Sequence, residues 1–378
     1  MKLQMVDVYT QYLQIKEEVD KGIQQVLETT SFINGPQVKK FTRELENFLD
    51  VKHVIPCANG TDALQIAMMG LGLKPGDEVI VPAFTYVATA EVIALLGLVP
   101  VMVDVDVNTF NVDPQAVRAA ITPRTKAIVP VHLYGQTADL EPIMRIAGQY
   151  GIYVIEDNAQ ALGADYRFSD GRRQKAGTIG HIGCTSFYPS KNLGCYGDGG
   201  AIITNDNQLA EKLYKIANHG QSERYYHDIV GCNSRLDSIQ AVVLSAKLKH
   251  LEQYNNARKR AADGYDHLLS PIPEIVTPVR ATYSSHVFHQ YTLKVAGGKR
   301  DALKAYLDTE GIPNMIYYPL PLYRQKAFET FVPENMNLPI TEKLCGEVIS
   351  LPIHSEMDEN QIVYISDKIK SFFNNDIK

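Results

Sequence analysis

The sequence predicts an α/β fold: a largely parallel sheet covered by helices on both faces, followed by a smaller α+β domain. Three observations predict it. Between about residues 50 and 205, short runs that are apolar throughout alternate with helical stretches, as expected of strands buried in a sheet covered on both sides. A long helical stretch over 235–269 is then stopped by Pro271-Ile272-Pro273, because proline lacks the N–H that a helix interior needs. Finally, 378 residues exceed what one hydrophobic core usually organises. We therefore place an N-terminal segment and a large domain at 1–255, and a small C-terminal domain at 256–378.

Taken in order, an amphipathic helix is expected over 11–28, and Phe32-Ile33-Asn34-Gly35-Pro36 reads as a turn. Apolar residues at Val38, Phe41, Leu45, Phe48 and Leu49 give the helical period over 38–49. Strands are expected at 78–81, 100–105, 126–132, 153–156, 184–187 and 201–204. Helices are expected at 62–70, 86–96, 114–121, 140–149 and 208–218. The stretch over 235–269 reads as one helix, with room for a kink, that carries the chain out of the large domain. Beyond it, a strand near 288–295, a helix near 300–310 and a terminal helix from about 359 build the small domain. A proline-punctuated stretch at 317–322 lies between them.

Composition narrows the function classes. The chain is 45% hydrophobic and 21% charged, so it can bury a sizeable core. No apolar run reaches the roughly 18 residues of a membrane span, and residues 1–7 carry no signal-peptide core. A net charge of −6 argues against a nucleic-acid surface. Five scattered cysteines without CxxC spacing suit free thiols in a reducing compartment. The expectation is a cytoplasmic protein with neither membrane nor nucleic acid as a partner. None of the ten histidines is spaced HxxxH or joined to a CxxC, so no metal site is expected. GxGxxG and GxSxG are both absent, which argues against a dinucleotide loop and an acyl-transfer serine elbow.

The chemistry centres on one lysine. Lys191 follows the apolar run at 184–187 and precedes four glycines within residues 194–200. Glycines there permit positive φ and close backbone approach to a ligand, which holds the lysine in a tight loop. Hydroxyls flank it at Ser186 and Ser190, and Asp157 ends an apolar strand 34 residues earlier. That separation leaves room for one further strand and a turn. Both side chains then reach the same end of the sheet, where ligands of such folds lie. A lysine for a Schiff base, an acid for a pyridine nitrogen and hydroxyls for a phosphate are what pyridoxal 5'-phosphate requires.

Other positions keep two readings from sequence alone. Gly60 and Thr61, before the helix over 62–70, offer N–H groups to a phosphate; alternatively, Thr61 or Asp62 simply caps that helix. Asp157 binds a cofactor or caps the following helix. Tyr86 stacks on a flat ring or packs into the core. Gln160 donates to the cofactor's ring oxygen or covers its face.

Several stretches together carry a resemblance. They are Asn59-Gly60-Thr61-Asp62-Ala63-Leu64, Pro82-Ala83-Phe84-Thr85-Tyr86-Val87-Ala88-Thr89, Glu156-Asp157-Asn158-Ala159-Gln160, the Lys191 loop and Gly231-Cys232-Asn233-Ser234-Arg235-Leu236-Asp237. With them the chain resembles the sugar aminotransferases of the DegT/StrS type, within the fold-type I pyridoxal-phosphate enzymes, from Phe32 to His354. The resemblance implies a mixed, mostly parallel seven-stranded sheet sandwiched by helices and a homodimer with shared sites. It also implies that Lys191 bonds the cofactor and moves the proton, and that Asp157 binds the pyridine nitrogen. Tyr86 would stack on the ring and Gln160 would contact it from the other side. Gly60, Thr61 and Ser186 would hold the phosphate, and Asn233 would reach the phosphate of the partner subunit's cofactor.

Some relatives have histidine at the lysine position and act as dehydratases, so Lys191 favours transamination. Ser186-Phe187-Tyr188 and Gly197-Asp198-Gly199-Gly200 resemble the 3-aminotransferases. The match over 189–196, with His219-Gly220-Gln221 and Asn233-Ser234-Arg235-Leu236-Asp237, resembles those acting on UDP-2-acetamido-2-deoxy-3-oxoglucuronate, which implies that substrate, with glutamate as the donor. Arg235 would then clamp the uronate carboxylate bidentately. The chain departs from that group at Tyr317-Tyr318-Pro319, where His-Tyr-Pro is usual, in the loop assigned to substrate binding. Two alternatives are a dTDP-3-keto-6-deoxyhexose as substrate and a non-catalytic, cofactor-binding regulatory protein.

Overall fold

Each of the six strands expected before residue 205 forms, and a seventh joins them in one sheet. A computed structural model describes residues 3–375; residues 1–2 and 376–378, which the expected domains include, lie outside the described residues. In chain order the strands are β1 (His53–Cys57), β2 (Glu78–Pro82), β3 (Val99–Val103), β4 (Thr125–Ile128), β5 (Tyr153–Asp157), β6 (Asp165–Arg167) and β7 (Arg173–Lys175). They continue as β8 (Ile182–Ser186), β9 (Gly200–Thr204), β10 (Gln221–Glu223), β11 (Tyr226–His227), β12 (Ile275–Val276), β13 (Tyr291–Val295) and β14 (Val348–Leu351).

The large sheet runs β1-β9-β8-β5-β4-β2-β3. Pairs among β2, β3, β4, β5 and β8 are parallel, whereas β9 is antiparallel to both its neighbours. Six strands therefore share one direction and β9 alone is reversed. The unexpected strand, β1, lies at the edge and contains Pro56. Proline cannot donate to a ladder and is tolerated at edges, which is why this run does not read as a strand. The expected strand at 126–132 stops early at Ile128; Pro130 lacks an N–H, and pairing resumes only at a bridge between Val131 and Asp157.

Seven helices fall where periodicity places them. They are α1 (Val8–Thr29), α2 (Pro36–Leu49), α3 (Gly60–Leu71), α4 (Ala88–Leu95), α5 (Pro114–Ala119), α6 (Leu140–Tyr150) and α7 (Asn207–Ala217). Burial on both faces is direct: Val79 and Val81 of β2 enter one core cluster and Ile80, between them, enters another. The stretch expected as one helix over 235–269 is instead two, α8 (Ser238–Leu248) and α9 (Leu251–Leu269). His250 leaves helical geometry at φ −108°, ψ 1°. The break lets α8 run buried against α1 and α2 while α9 packs on the C-terminal helix.

After α9, the three-stranded antiparallel sheet β12-β13-β14 packs with α10 (Arg300–Thr309) and α12 (Glu359–Asn375), while α11 (Pro339–Glu347) leads directly into β14. Tyr265, Leu293, Leu303, Ile349 and Ile365 form the centre of this second core. The segment between α10 and α11 returns to the first lobe, where Leu322, Tyr323 and Phe328 join its core.

Candidate active site

Because six strands of the sheet share one direction, the segments leaving β1, β2, β4, β5 and β8 gather along one edge. The reversed strand β9 starts there, with Gly200 paired to Ser186 of β8 and Cys57 of β1. Asn59 and Gly60, just after β1, are thereby brought against Ser186. The approach is close: a Cβ on Gly60 would come 2.7 Å from Ser186 Cβ, and one on Gly200 would come 2.4 Å from the carbonyl carbon of Asn59. The Asn59 side chain accepts the Asp62 N–H at 2.8 Å and caps α3, so the cap is neither Thr61 nor Asp62. The N–H groups of Gly60 and Thr61 open off the helix end, as first-turn donors do. Beside them stands the Ser186 hydroxyl, which accepts the Tyr188 N–H at 3.3 Å. A helix N-terminus, a glycine that admits no side chain and a hydroxyl make a cradle for an anion.

Asp157 is the last residue of β5 and is buried. Its Oδ2 accepts the Thr89 hydroxyl at 2.8 Å and its Oδ1 the Ala159 N–H at 3.2 Å. Lys191 lies in the loop between β8 and β9, its N–H donating to Tyr188 O at 2.8 Å. The residue keeps some solvent contact, yet burial pushes its amine down to about 8, with the Asp157 charge pulling the other way. The structure thus brings together the lysine and the acid that sequence spacing paired. His289, buried nearby, has its pKa held well below the usual imidazole range by burial and then by the charges of Lys191 and Arg258.

Gln160 is fixed from two sides. Its Oε1 accepts the Tyr134 N–H at 2.7 Å and its Nε2 donates to the Tyr318 hydroxyl at 3.4 Å. Tyr134 in turn donates its hydroxyl to the Tyr317 carbonyl. The peptide between Tyr317 and Tyr318 is cis, and burial raises the pKa of the Tyr318 hydroxyl. Tyr86 is 57% exposed, with its ring centroid 6.4 Å from that of Tyr318; core packing does not account for it. Tyr317 and Tyr318 therefore border the same group of residues as Asp157 and Gln160.

Asn233 and Arg235 stand apart from that group. Asn233 is exposed and bridges to Asn218. Arg235 lines a separate cavity of about 240 Å³ with Asn34, Val38, Arg43 and Tyr214. Sequence reasoning missed Thr89 and Tyr134. Thr89 lies three residues after Tyr86, a spacing that puts both on one side of a helical turn, so a signal existed. For Tyr134, held at φ 58°, none did.

An amine, a carboxylate on the same edge and an anion cradle whose glycine could not carry a Cβ are the donor set that pyridoxal 5'-phosphate needs. Comparison with known proteins agrees. The family model of the DegT/DnrJ/EryC1/StrS aminotransferases matches residues 13–370. The chain is 48% identical, over 96% of its length and 98% of the relative's, to the UDP-2-acetamido-2-deoxy-3-oxo-D-glucuronate aminotransferase of Pseudomonas aeruginosa. It is 46% identical, over 99% of each chain, to a "pleiotropic regulatory protein" of Geobacillus stearothermophilus. Among solved structures, S. venezuelae DesV in complex with a ketimine intermediate superposes with a TM-score of 0.94 at 37% identity, over 98% of both chains. The chain therefore belongs to the DegT/DnrJ/EryC1/StrS aminotransferase family and is a pyridoxal 5'-phosphate-dependent aminotransferase of nucleotide-linked sugars.

Proposed function

We propose that the chain moves the amino group of glutamate to C3 of UDP-2-acetamido-2-deoxy-3-oxoglucuronate. The observation that carries this sugar is the 48% identity to the P. aeruginosa enzyme. Arg235 lines a cavity apart from Lys191 within its own chain, so in this reading it reaches the uronate from the partner subunit, beside Asn233, where a guanidinium suits bidentate capture of the carboxylate. The depressed amine of Lys191 beside Asp157 supplies the base that this transfer needs.

In this reading Lys191 accepts and returns the migrating proton at its Nζ, and burial makes it a base close to neutral pH. Asp157 binds the ring nitrogen, with Thr89 and the Ala159 N–H keeping its carboxylate aimed. Gly60, Thr61 and Ser186 hold the phosphate, Tyr86 stacks on the ring, and Gln160 contacts it from the other side. Tyr317 and Tyr318 belong to the substrate loop. Asn233 of the partner subunit completes the phosphate site, which makes a homodimer the working unit. The bound cofactor supplies an electron sink for the carbon that loses or gains its proton.

The test offers enzyme loaded with pyridoxamine 5'-phosphate the 3-oxoglucuronate and a dTDP-3-keto-6-deoxyhexose separately, and detects amino sugar by mass spectrometry. The uronate alone should be aminated, and Arg235→Ala should lower kcat/KM for it by roughly tenfold or more, as losing a charge-assisted hydrogen bond does. Amination of the deoxyhexose alone would discard the uronate. Amination of neither would remove the 3-keto assignment.

A further inference from the structure

Glu156 and Asp157 are adjacent on β5, so their side chains leave opposite faces of the sheet. Asp157 turns to the site; Glu156 is wholly buried on the other side. Its carboxylate takes four donors. Ile179 N–H at 2.6 Å and Gly180 N–H at 2.5 Å reach Oε1, while Gly177 N–H at 2.7 Å and His132 Nε2 at 2.8 Å reach Oε2. Every contact is a donor, so both oxygens serve only as acceptors, as a carboxylate's do. His132 is also wholly buried, and its Nδ1 accepts the Ala138 N–H at 3.1 Å. That leaves Nε2 as the protonated nitrogen, facing Glu156.

The main chain of His132 completes a bracket around the neighbouring acid. Its N–H donates to Asp157 O at 3.0 Å, and Asp157 N–H donates to Pro130 O at 2.9 Å. One buried carboxylate thus joins three segments: the end of β5, the stretch after β4, and the turn before β8, whose last residue is Ser186. The turn has no slack. Gly177 sits at φ 83°, and a Cβ there would come 2.6 Å from Asn158 Nδ2. A buried charge bound this way makes the loss of any one partner expensive, so the three segments are held in a single arrangement.

We propose that Glu156 and His132 are positioning residues, which fix the main chain at the end of β5 so that the Asp157 carboxylate is aimed at the cofactor's ring nitrogen before the cofactor binds. The inference rests on the role proposed above for Asp157. A ligand that lacks the ring nitrogen isolates the effect.

Binding of pyridoxamine 5'-phosphate, followed by its own fluorescence, is compared with binding of the 1-deaza analogue, in which a C–H replaces that nitrogen. His132→Asn keeps the acceptor for Ala138 but removes the donor to Glu156; His132→Gln keeps a donor at the place of Nε2. His132→Asn should weaken pyridoxamine 5'-phosphate roughly tenfold and the analogue by less than about twofold, the size of effect seen when a residue behind a ligating group is removed. His132→Gln should restore the difference. Equal weakening of both ligands would overturn the proposal by showing a general loss of structure, and so would unchanged binding of both. If unmodified chain and Asp157→Ala show the same preference between the two ligands, the role of Asp157 falls and the proposal with it. Glu156→Gln, which sets an amide N–H against these donors, carries the same comparison if His132→Asn does not fold.

Discussion

The Lys191 amine sits where burial pushes its pKa down to about 8 while the charge of Asp157 works against the shift. A lysine in water holds its proton to about 10.4. Between these two values the folded chain binds fewer protons than the unfolded one, so this group makes stability rise with pH over that window, the opposite sign to a lysine that gains an acid partner. The same shift supplies free amine, the form that attacks a carbonyl, two units earlier. Acetylation of the cofactor-free chain, resolved by peptide mass spectrometry, should therefore show a midpoint near pH 8 for Lys191. The value matches that of Lys247, but Lys247 is 1% exposed and should label far more slowly. A Lys191 midpoint above 10 would remove burial as the source of its reactivity. Its partner Asp157 could be paired with it from spacing alone, whereas Thr89, 68 residues from Asp157 in sequence, was legible only through its helical spacing from Tyr86.

At the scale of elements, the start of α3 carries the anion cradle and depends on one cap. Among the described residues Asn59 alone supplies a side-chain acceptor at that helix end, so Asn59→Ala should cost about 1 kcal/mol of stability, read from the midpoint of urea unfolding. Asn59→Asp should keep the cap and its stability while placing a negative charge beside the cradle, so phosphate affinity should fall without the loss of fold. Equal stability in all three chains would mean that the cap does not hold this end. Elements were legible wherever apolar spacing was regular, as in α2, where Val38, Phe41, Leu45 and Leu49 are all buried. They were not where a local signal opposed the fold: Pro56 hid the edge strand β1. The division of 235–269 into α8 and α9 left no mark either, because no glycine or proline stands at Lys249-His250 and the helical period runs across it. Tertiary packing decides that break, since α8 is buried on nearly every side and α9 is not.

At the scale of the whole molecule, Lys191 and Asn233 belong to one site in the proposed dimer but are not neighbours within a chain. Asn233 is exposed, on the stretch before α8, and Phe32, Ile33, Tyr225 and Val230 are exposed apolar residues of the same chain, Val230 at 85%. Exposed apolar surface of this kind suits cover by a second copy. The resemblance, not residue spacing, pointed to Asn233, because a residue that works across a two-fold axis leaves no periodicity within its own chain. Mixing two inactive variants separates the arrangements. Lys191→Ala and Asn233→Ala homodimers each carry a defect in every site. If Asn233 serves the partner's site, a mixed dimer has one site with both defects and one with neither. Random exchange of subunits then makes half the dimers mixed, and activity should recover to about a quarter of that of the unmodified enzyme. If Asn233 serves its own chain's site, every site in the mixed dimer keeps one defect and nothing is regained. Exchange should be confirmed by native mass spectrometry of the two tagged chains, so that an absence of recovery with mixed dimers present counts directly against the shared site.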